Sequence, residues 1–242
     1  MILPERHTRQ EWLFGKESTA LLRRCHVAVF GLGGVGSYAV EALARSGIGT
    51  LTLVDGDAFS PSNLNRQLYA TEKTLGRSKA DVAQERVREI DGDIRVFSKN
   101  AFVLPENIHE FDFSAYDLVL DAVDTVAAKL AIAEAAQRAG CLAVSCMGAG
   151  NKTDPTRFQV ADIYETDTCP LARAVRIGCR KRGISRLRVV YSKEPPAEGG
   201  AQDGETGRPL PGSCAFVPSV AGLILAGEGI RLLLSQEGRP EK

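Results

Sequence analysis

The chain of 242 residues has no net charge, thirty basic side chains balancing thirty acidic ones. No overall field therefore draws it to a polyanion or a membrane, and any such attraction has to reside in one segment. Its six cysteines (Cys25, Cys141, Cys146, Cys169, Cys179, Cys214) include no CxxC pair. The N-terminus MILPERHTRQEW is too polar for a secretory leader. Together these predict free thiols and a cytoplasmic protein. The three histidines, His7, His26 and His109, show no ligand spacing. No apolar run is long enough for a membrane span. The longest, GLILAGEGIRLLL, is broken by Glu228 and Arg231 and is expected to be a buried or interface helix, without stable membrane insertion. There is no internal repeat. What is present is an ordinary globular composition, 44% hydrophobic, enough for one large domain or two small ones.

Strand-like and helix-like runs alternate. CHVAVF (25–30) reads as a buried strand, the stretch 34–46 as a helix with Val35, Ala39 and Leu43 at helical spacing and a stop at Gly47, and TLTLVD (50–55) as a second strand. SKADVAQERVREI (78–90) is a helix and IRVFSK a strand. YDLVLDAVD (116–124), TVAAKLAIAEAAQRAG and CLAVSCMGAG repeat the strand, helix, strand order, with Gly140 ending the helix. This alternation predicts an α/β fold, a Rossmann-like and mostly parallel sheet with helices on both faces. After residue 150 the character changes. RFQVADIYE and LRVVYSK read as strands flanking an arginine-rich helix, and the Gly, Pro and acid-rich stretch 194–213 reads as a mobile loop. The expected organisation is a Rossmann-like unit over 1–150 and a smaller α+β extension of the same domain over 151–242.

Gly31, Gly33 and Gly36 form GxGxxG directly after a strand and at the opening of a helix, where backbone amides can approach phosphate oxygens. Asp55 lies 19 residues beyond Gly36 at the end of the second strand, the place for a carboxylate that binds ribose hydroxyls. The next run is dense in polar groups: Asp57, Ser62, Asn63, Asn65, Arg66 and Gln67, with Lys79 opening the following helix. An arginine and a lysine together neutralise more negative charge than the pyrophosphate of a dinucleotide requires, and suit a triphosphate. DAVD then places Asp121 and Asp124 at the end of a strand beside the first. A carboxylate there can hold Mg²⁺, which keeps most of its water and takes one or two protein carboxylates. Asp124, at the tip, is the better candidate; Asp121 reads equally well as a carboxylate capped by backbone.

GLGGVGS, LVDGD, SNLNRQ, GRSKA and DAVD, in that order and spacing from residue 8 to about 147, resemble the adenylating family that includes ThiF, MoeB, HesA and the ubiquitin-activating E1 enzymes. The resemblance implies ATP, with Gly33 and Gly34 at its phosphates and Asp55 on its ribose. It implies Ser62, Asn63 and Arg66 around the phosphates, Lys79 on the phosphate chain, and Asp124 at Mg²⁺. In that family an arginine near the N-terminus reaches into the partner subunit's ATP site. TRQ at 8–10 matches it, which makes Arg9 the candidate and implies a homodimer. The implied chemistry is attack of a substrate carboxylate on the α-phosphate with loss of pyrophosphate. Such chemistry is mostly positioning and charge stabilisation, so Arg9, Arg66, Lys79 and Mg²⁺ suffice without a covalent residue. ThiF-like and MoeB-like members carry two CxxC pairs for a structural zinc; with none here, no zinc is expected.

Within that family, CMGAGNKTDPTRFQVADIYETDTCPLARAVR (146–176) and GSCAFVPSVAGLILAGEGIR (212–231) resemble the tRNA threonylcarbamoyladenosine dehydratases. The implied reaction is ATP-dependent activation of the threonyl carboxylate of N6-threonylcarbamoyladenosine at position 37 of a tRNA, followed by cyclisation through the substrate's own carbamoyl group. The residues offer a separate indication. From 171 to 193 there are six arginines, two lysines and no acid, and Arg173, Arg176 and Arg180 recur at i, i+3 and i+7 along one helical face. On a chain of zero net charge this is the footprint of nucleic-acid binding, although a solvated helix face would also carry charge. Lys152 reads as an active-site or RNA contact, or as an ordinary loop lysine. The rival is E1-like adenylation of the C-terminus of a ubiquitin-like sulfur carrier protein, with thioester transfer to Cys214; Cys214 reads equally as a small apolar residue entering the last helix. The absent CxxC pairs and the arginine stripe favour the tRNA substrate. A non-catalytic nucleotide-binding scaffold is disfavoured by the intact Arg66, Lys79 and Asp124 set. A cysteine desulfurase or sulfur-acceptor partner stays open.

Overall fold

The computed structural model describes residues 5–198, 201–202 and 209–235. After α1 (Thr8–Phe14) and α2 (Lys16–Leu22), the chain runs through β1 (His26–Phe30), α3 (Gly36–Arg45), β2 (Thr50–Val54), α4 (Lys79–Ile90), β3 (Arg95–Lys99), β4 (Leu118–Asp121), α5 (Val126–Ala139) and β5 (Leu142–Cys146). It continues with β6 (Phe158–Asp162), α6 (Pro170–Arg182), β7 (Arg188–Ser192), β8 (Ala201–Gln202), β9 (Pro209–Leu210) and α7 (Phe216–Leu234). Seven strands form one sheet in the order β3-β2-β1-β4-β5-β7-β6, every pair parallel except the edge pair β6–β7. This is the α/β architecture that the alternation of runs predicts. β1, β2 and β4 are near-continuous apolar runs because they are covered on both faces, as central strands of a parallel sheet are.

Side-chain caps trim two of the expected strands. The 116–124 run ends as a strand at Asp121, whose Oδ1 accepts the Val123 amide at 3.1 Å and turns the chain out of the ladder. The 157–165 run ends at Asp162, whose carboxylate accepts the Tyr164 amide and opens a single 3₁₀ turn over Ile163–Glu165. In the glycine-rich stretch, 199–200 and 203–208 lie outside the described residues. β8 and β9 pair antiparallel, Ala201 opposite Leu210.

One expectation needs correction. The C-terminal helix α7 has 19 residues and is long and apolar enough by length and composition to cross a bilayer, whereas the sequence suggested a run too short to do so. Its packing shows a core helix. Val217, Ala221, Leu225, Ala226 and Leu233 are buried in the main core, and α7 lies directly on α3. A Cβ on Gly222 would stand 2.2 Å from the Val35 carbonyl oxygen, so only glycine permits that approach. The buried Glu228 is neutralised by Arg188, with Nε to Oε1 at 2.7 Å.

The N-terminal helices are tied down by one buried carboxylate. Asp91 Oδ1 receives Arg6 at 2.7 Å and Oδ2 receives Arg23 at 2.8 Å, while the buried His7 ring lies 3.7 Å from Oδ2 beneath Gly47. Burial, reinforced by the Arg23 charge, pushes His7 below its ordinary value of 6.5, and burial likewise lowers His26. Both rings therefore accept a proton more readily in the unfolded chain. Their contribution to stability is complete above the ordinary histidine value and is lost as pH falls through it toward the lowered values. The urea midpoint is expected to drop between about pH 7.5 and about pH 5.5, and His7→Gln to flatten that dependence; a variant with the parental slope would dissociate it from His7.

Candidate active site

Between β1 and β4 the strand order reverses, and the loops leaving the C-terminal ends of these strands diverge to open a crevice of about 510 Å³. The glycine loop forms one wall for steric reasons. Gly31 has φ +86°, and a Cβ there would lie 2.7 Å from the Ala122 carbonyl oxygen. A Cβ on Gly36 would lie 1.8 Å from the Gly31 oxygen, so Gly36 shapes the loop and does not itself line the crevice. Gly33 and Gly34 do line it, at the N-terminal end of α3, where backbone amides and the helix dipole favour an anion.

Asp55 follows β2 and braces two loops, Oδ2 accepting the Leu32 amide at 2.6 Å and Oδ1 the Asp57 amide at 2.9 Å. Burial pushes its carboxyl above the usual range, with Lys79 opposing. Each oxygen has one named donor and capacity for a second, which suits it to vicinal hydroxyls. Lys79 is buried, its ammonium 2.8 Å from Asp57 Oδ2. Arg66 Nη1 donates to the Ser62 carbonyl at 2.8 Å and to Asn65 Oδ1 at 2.9 Å, which turns its guanidinium along the crevice wall. Asn63 also lines the crevice, but its Oδ1 accepts the Ser60 amide in a capping box. Asp124 lies exposed on the opposite lip, and among the described residues its carboxylate has no hydrogen bond or ion pair.

Gly31, Gly33, Gly34, Asp55, Asp57, Asn63, Arg66, Lys79 and Asp124 thus share one crevice, and other expected residues lie elsewhere. Ser62 is exposed outside it, its hydroxyl 3.0 Å from that of Ser60. Arg9 is exposed on α1 and does not line the crevice of its own chain. Lys152 is 5% exposed, with its ammonium on the Glu194 carbonyl, and presents no charge to a polynucleotide. On α6, Arg173 and Arg180 are exposed, whereas Arg176 is committed to Thr166 through bonds of 2.7 and 2.6 Å.

Two groups escaped the sequence reading as site residues. Gln67, inside the polar run, lies behind Gly33 in the crevice wall, its buried Oε1 without a partner among the described residues. Lys129 is fully buried beneath the site. Its ammonium meets both Asp121 oxygens at 3.2 and 3.3 Å, Ser145 Oγ at 3.3 Å and the Cys146 carbonyl at 2.6 Å. It thereby ties the loop carrying Asp124 to the end of β5. A lysine within the apolar first half of α5, VAAKLAIA, was the available signal.

The residues fit a nucleoside triphosphate: room within the usual range for ligand pockets, a glycine-lined anion seat, a carboxylate for the ribose, and two cations. For a metal they offer the one open carboxylate of Asp124. Among the described residues no group of three His, Cys, Asp or Glu could hold an ion unaided. That suits Mg²⁺ accompanying phosphates with its own water shell.

A doubly wound α/β sheet with this crevice at its reversal point defines a nucleotide-binding protein whose cations and open carboxylate are arranged for triphosphate chemistry. The chain belongs to the ThiF family, whose model matches residues 7–242. It is 41% identical over 238 residues to the tRNA threonylcarbamoyladenosine dehydratase of Bacillus subtilis, covering 94% of each chain. It is also 41% identical over 190 residues to the Escherichia coli protein of the same name, covering 75% of this chain and 71% of that one. The crystal structure of E. coli tRNA N6-threonylcarbamoyladenosine dehydratase in complex with ATP matches the fold with a TM-score of 0.89 at 30% identity, covering 100% of both chains.

Replacing Lys129 by Met strands the Asp121 carboxylate in the interior, a change that costs about 3–5 kcal/mol. Urea denaturation should show that loss, and the Lys129→Met/Asp121→Asn double variant should recover part of it. Equal loss in both variants would dissociate the effect from the ion pair.

Proposed function

We propose that this chain is an ATP-dependent tRNA threonylcarbamoyladenosine dehydratase, which adenylates the threonyl carboxylate of N6-threonylcarbamoyladenosine at position 37 of tRNA with loss of pyrophosphate, and then lets the substrate's own carbamoyl group close on the activated carbonyl with loss of AMP, leaving the cyclised nucleoside in the tRNA. The observation that carries this reading is that Gly33, Gly34, Asp55, Arg66, Lys79 and the open Asp124 line one crevice, with no cysteine among the lining residues. Acyl activation is provided for and a thioester is not, which suits a substrate bearing its own nucleophile. Cys214, the candidate in the sulfur-carrier reading, is half-buried and has its thiol 4.0 Å from the Lys152 carbonyl. No sulfur-handling partner is required.

In this reading Asp55 accepts the ribose hydroxyls, and the amides of Gly33 and Gly34 meet the phosphates. Arg66 and Lys79, already fixed by the Ser62 carbonyl and by Asp57, stabilise charge developing on the departing pyrophosphate without reorganising. Asp124 holds Mg²⁺, which when bound supplies further neutralisation of the phosphates. Asn63 shapes the wall beside Arg66. Arg9 completes the site of the partner subunit in a homodimer. Arg173 and Arg180, exposed on α6, carry tRNA phosphate contacts, whereas Arg176 braces the segment before the helix through Thr166. The chain works with its tRNA in the cytoplasm.

Mass spectrometry of nucleosides from tRNA incubated with protein, ATP and Mg²⁺ tests this. The expected result is loss of one water from threonylcarbamoyladenosine; pyrophosphate exchange that appears only with a carrier protein would overturn the reading. Asp124→Ala and Arg66→Ala should each lower turnover on the order of 100-fold or more with the melting temperature unchanged. Full activity in either would displace the phosphate-site assignment. The Arg173→Glu/Arg180→Glu variant should raise KM for tRNA and flatten its salt dependence by about two phosphate contacts; an unchanged salt slope would remove α6 from the RNA surface.

A further inference from the structure

Within the crevice the glycine loop and Asp55 occupy the β1–β2 half, so the nucleotide leaves the β4–β5 half for a second substrate. That half is walled by residues 210–213, which stretch from one lip to the other. Leu210, Pro211 and Ser213 line the space, and a Cβ on Gly150 would lie 2.7 Å from that of Pro211. On one lip, Asn65 Nδ2 donates to the Ser213 carbonyl at 3.0 Å. On the other, the hydrogen bonds to the segment among the described residues come from Asn151. The Asn151 amide donates to the Gly212 carbonyl at 2.8 Å, and Asn151 Oδ1 accepts the Gly212 amide at 2.6 Å. The Asn151 carbonyl accepts the Ala197 amide at 2.7 Å, which holds the other approach to the same stretch of chain.

The turn beneath is anchored in turn. Lys152 donates to the Glu194 carbonyl, and the Glu194 carboxylate accepts the Thr153 amide at 2.9 Å, the Thr153 hydroxyl at 3.0 Å and the Asp154 amide at 3.0 Å. Asn151 itself sits at φ +55°, in the left-handed region that asparagine tolerates better than most residues. Its side chain thus has two uses that few residues combine: it permits the backbone turn and accepts from the strap.

We propose that Asn151 is a positioning residue for the acceptor carboxylate. It holds the 210–213 strap, which lines the same crevice as Asp124, so that it governs the second substrate and leaves ATP binding untouched. This rests on the dehydratase reading for the identity of that substrate, the modified tRNA. It also assigns Lys152 a part in the seat of the strap in place of an RNA contact.

The test compares the full-length wild type with Asn151→Gly, which keeps the φ and loses the acceptor, and Asn151→Asp, which restores an acceptor. ATP affinity is measured by calorimetry, KM and kcat with tRNA by nucleoside mass spectrometry, and amide exchange at Gly212 by hydrogen–deuterium exchange. Loss of one such hydrogen bond corresponds to on the order of tenfold, expected for Asn151→Gly in KM for tRNA with unchanged ATP affinity and faster exchange at Gly212. Asn151→Asp should return toward wild type. A wild-type KM in Asn151→Gly, or equal weakening of ATP and tRNA, overturns the role of Asn151. A wild-type protein that leaves the nucleoside intact overturns the functional reading instead.

Discussion

β1 and β4 are neighbours whose onward connections run to opposite sides of the sheet, and where the two loops leave the strands, before they diverge, there is no room for a side chain between them. Gly31 and Gly36 are the consequence, one facing the Ala122 carbonyl and the other facing Gly31 itself. Because backbone meets backbone there, the glycine loop and the loop bearing Asp124 are held as the two lips of one crevice. Everything that makes the site competent hangs on that close approach, from the amides of Gly33 and Gly34 to the separation of Asp55 from Asp124.

Electrostatics then refine what the sterics permit. Lys79 and Arg66 are each fixed by a local acceptor, so the cationic side of the site is preorganised, while Asp124 is left open across from it. Beneath them the buried Lys129–Asp121 pair joins the turn after β4 to the end of β5. A charge pair almost out of reach of solvent stabilises little against an apolar substitute, but it makes a wrong arrangement costly. This gives the floor of the crevice one geometry.

Much of this was legible along the chain. The GxGxxG after a strand, Asp55 at the end of the next strand, and the polar run from Asp57 to Lys79 are local patterns whose chemistry depends on near neighbours, and the structure brings most of these residues to one crevice, Gly36, Ser62 and Asn65 excepted. The arginine spacing on α6 was legible too, but the commitment of Arg176 to Thr166 was not, since Thr166 lies ten residues earlier in a segment with no periodic signal. Lys152 shows the limit most plainly. A lysine in a turn reads as solvent-exposed, and nothing local reveals that the chain returns 42 residues later to bury it on the Glu194 carbonyl.

By itself, then, the sequence determined the alternation of strands and helices, the placement of the glycine loop and acids at strand ends, and a nucleotide as the ligand class, because these follow from backbone sterics and side-chain chemistry over a few residues. Only the tertiary structure decided that α7 is a core helix despite a length suited to a membrane, that Lys129 braces the site from below, and that Asn151 fastens the strap across it. Each of those depends on which distant segments meet, and such meetings are fixed by the packing of the whole sheet and its helices, to which no single stretch of sequence has access.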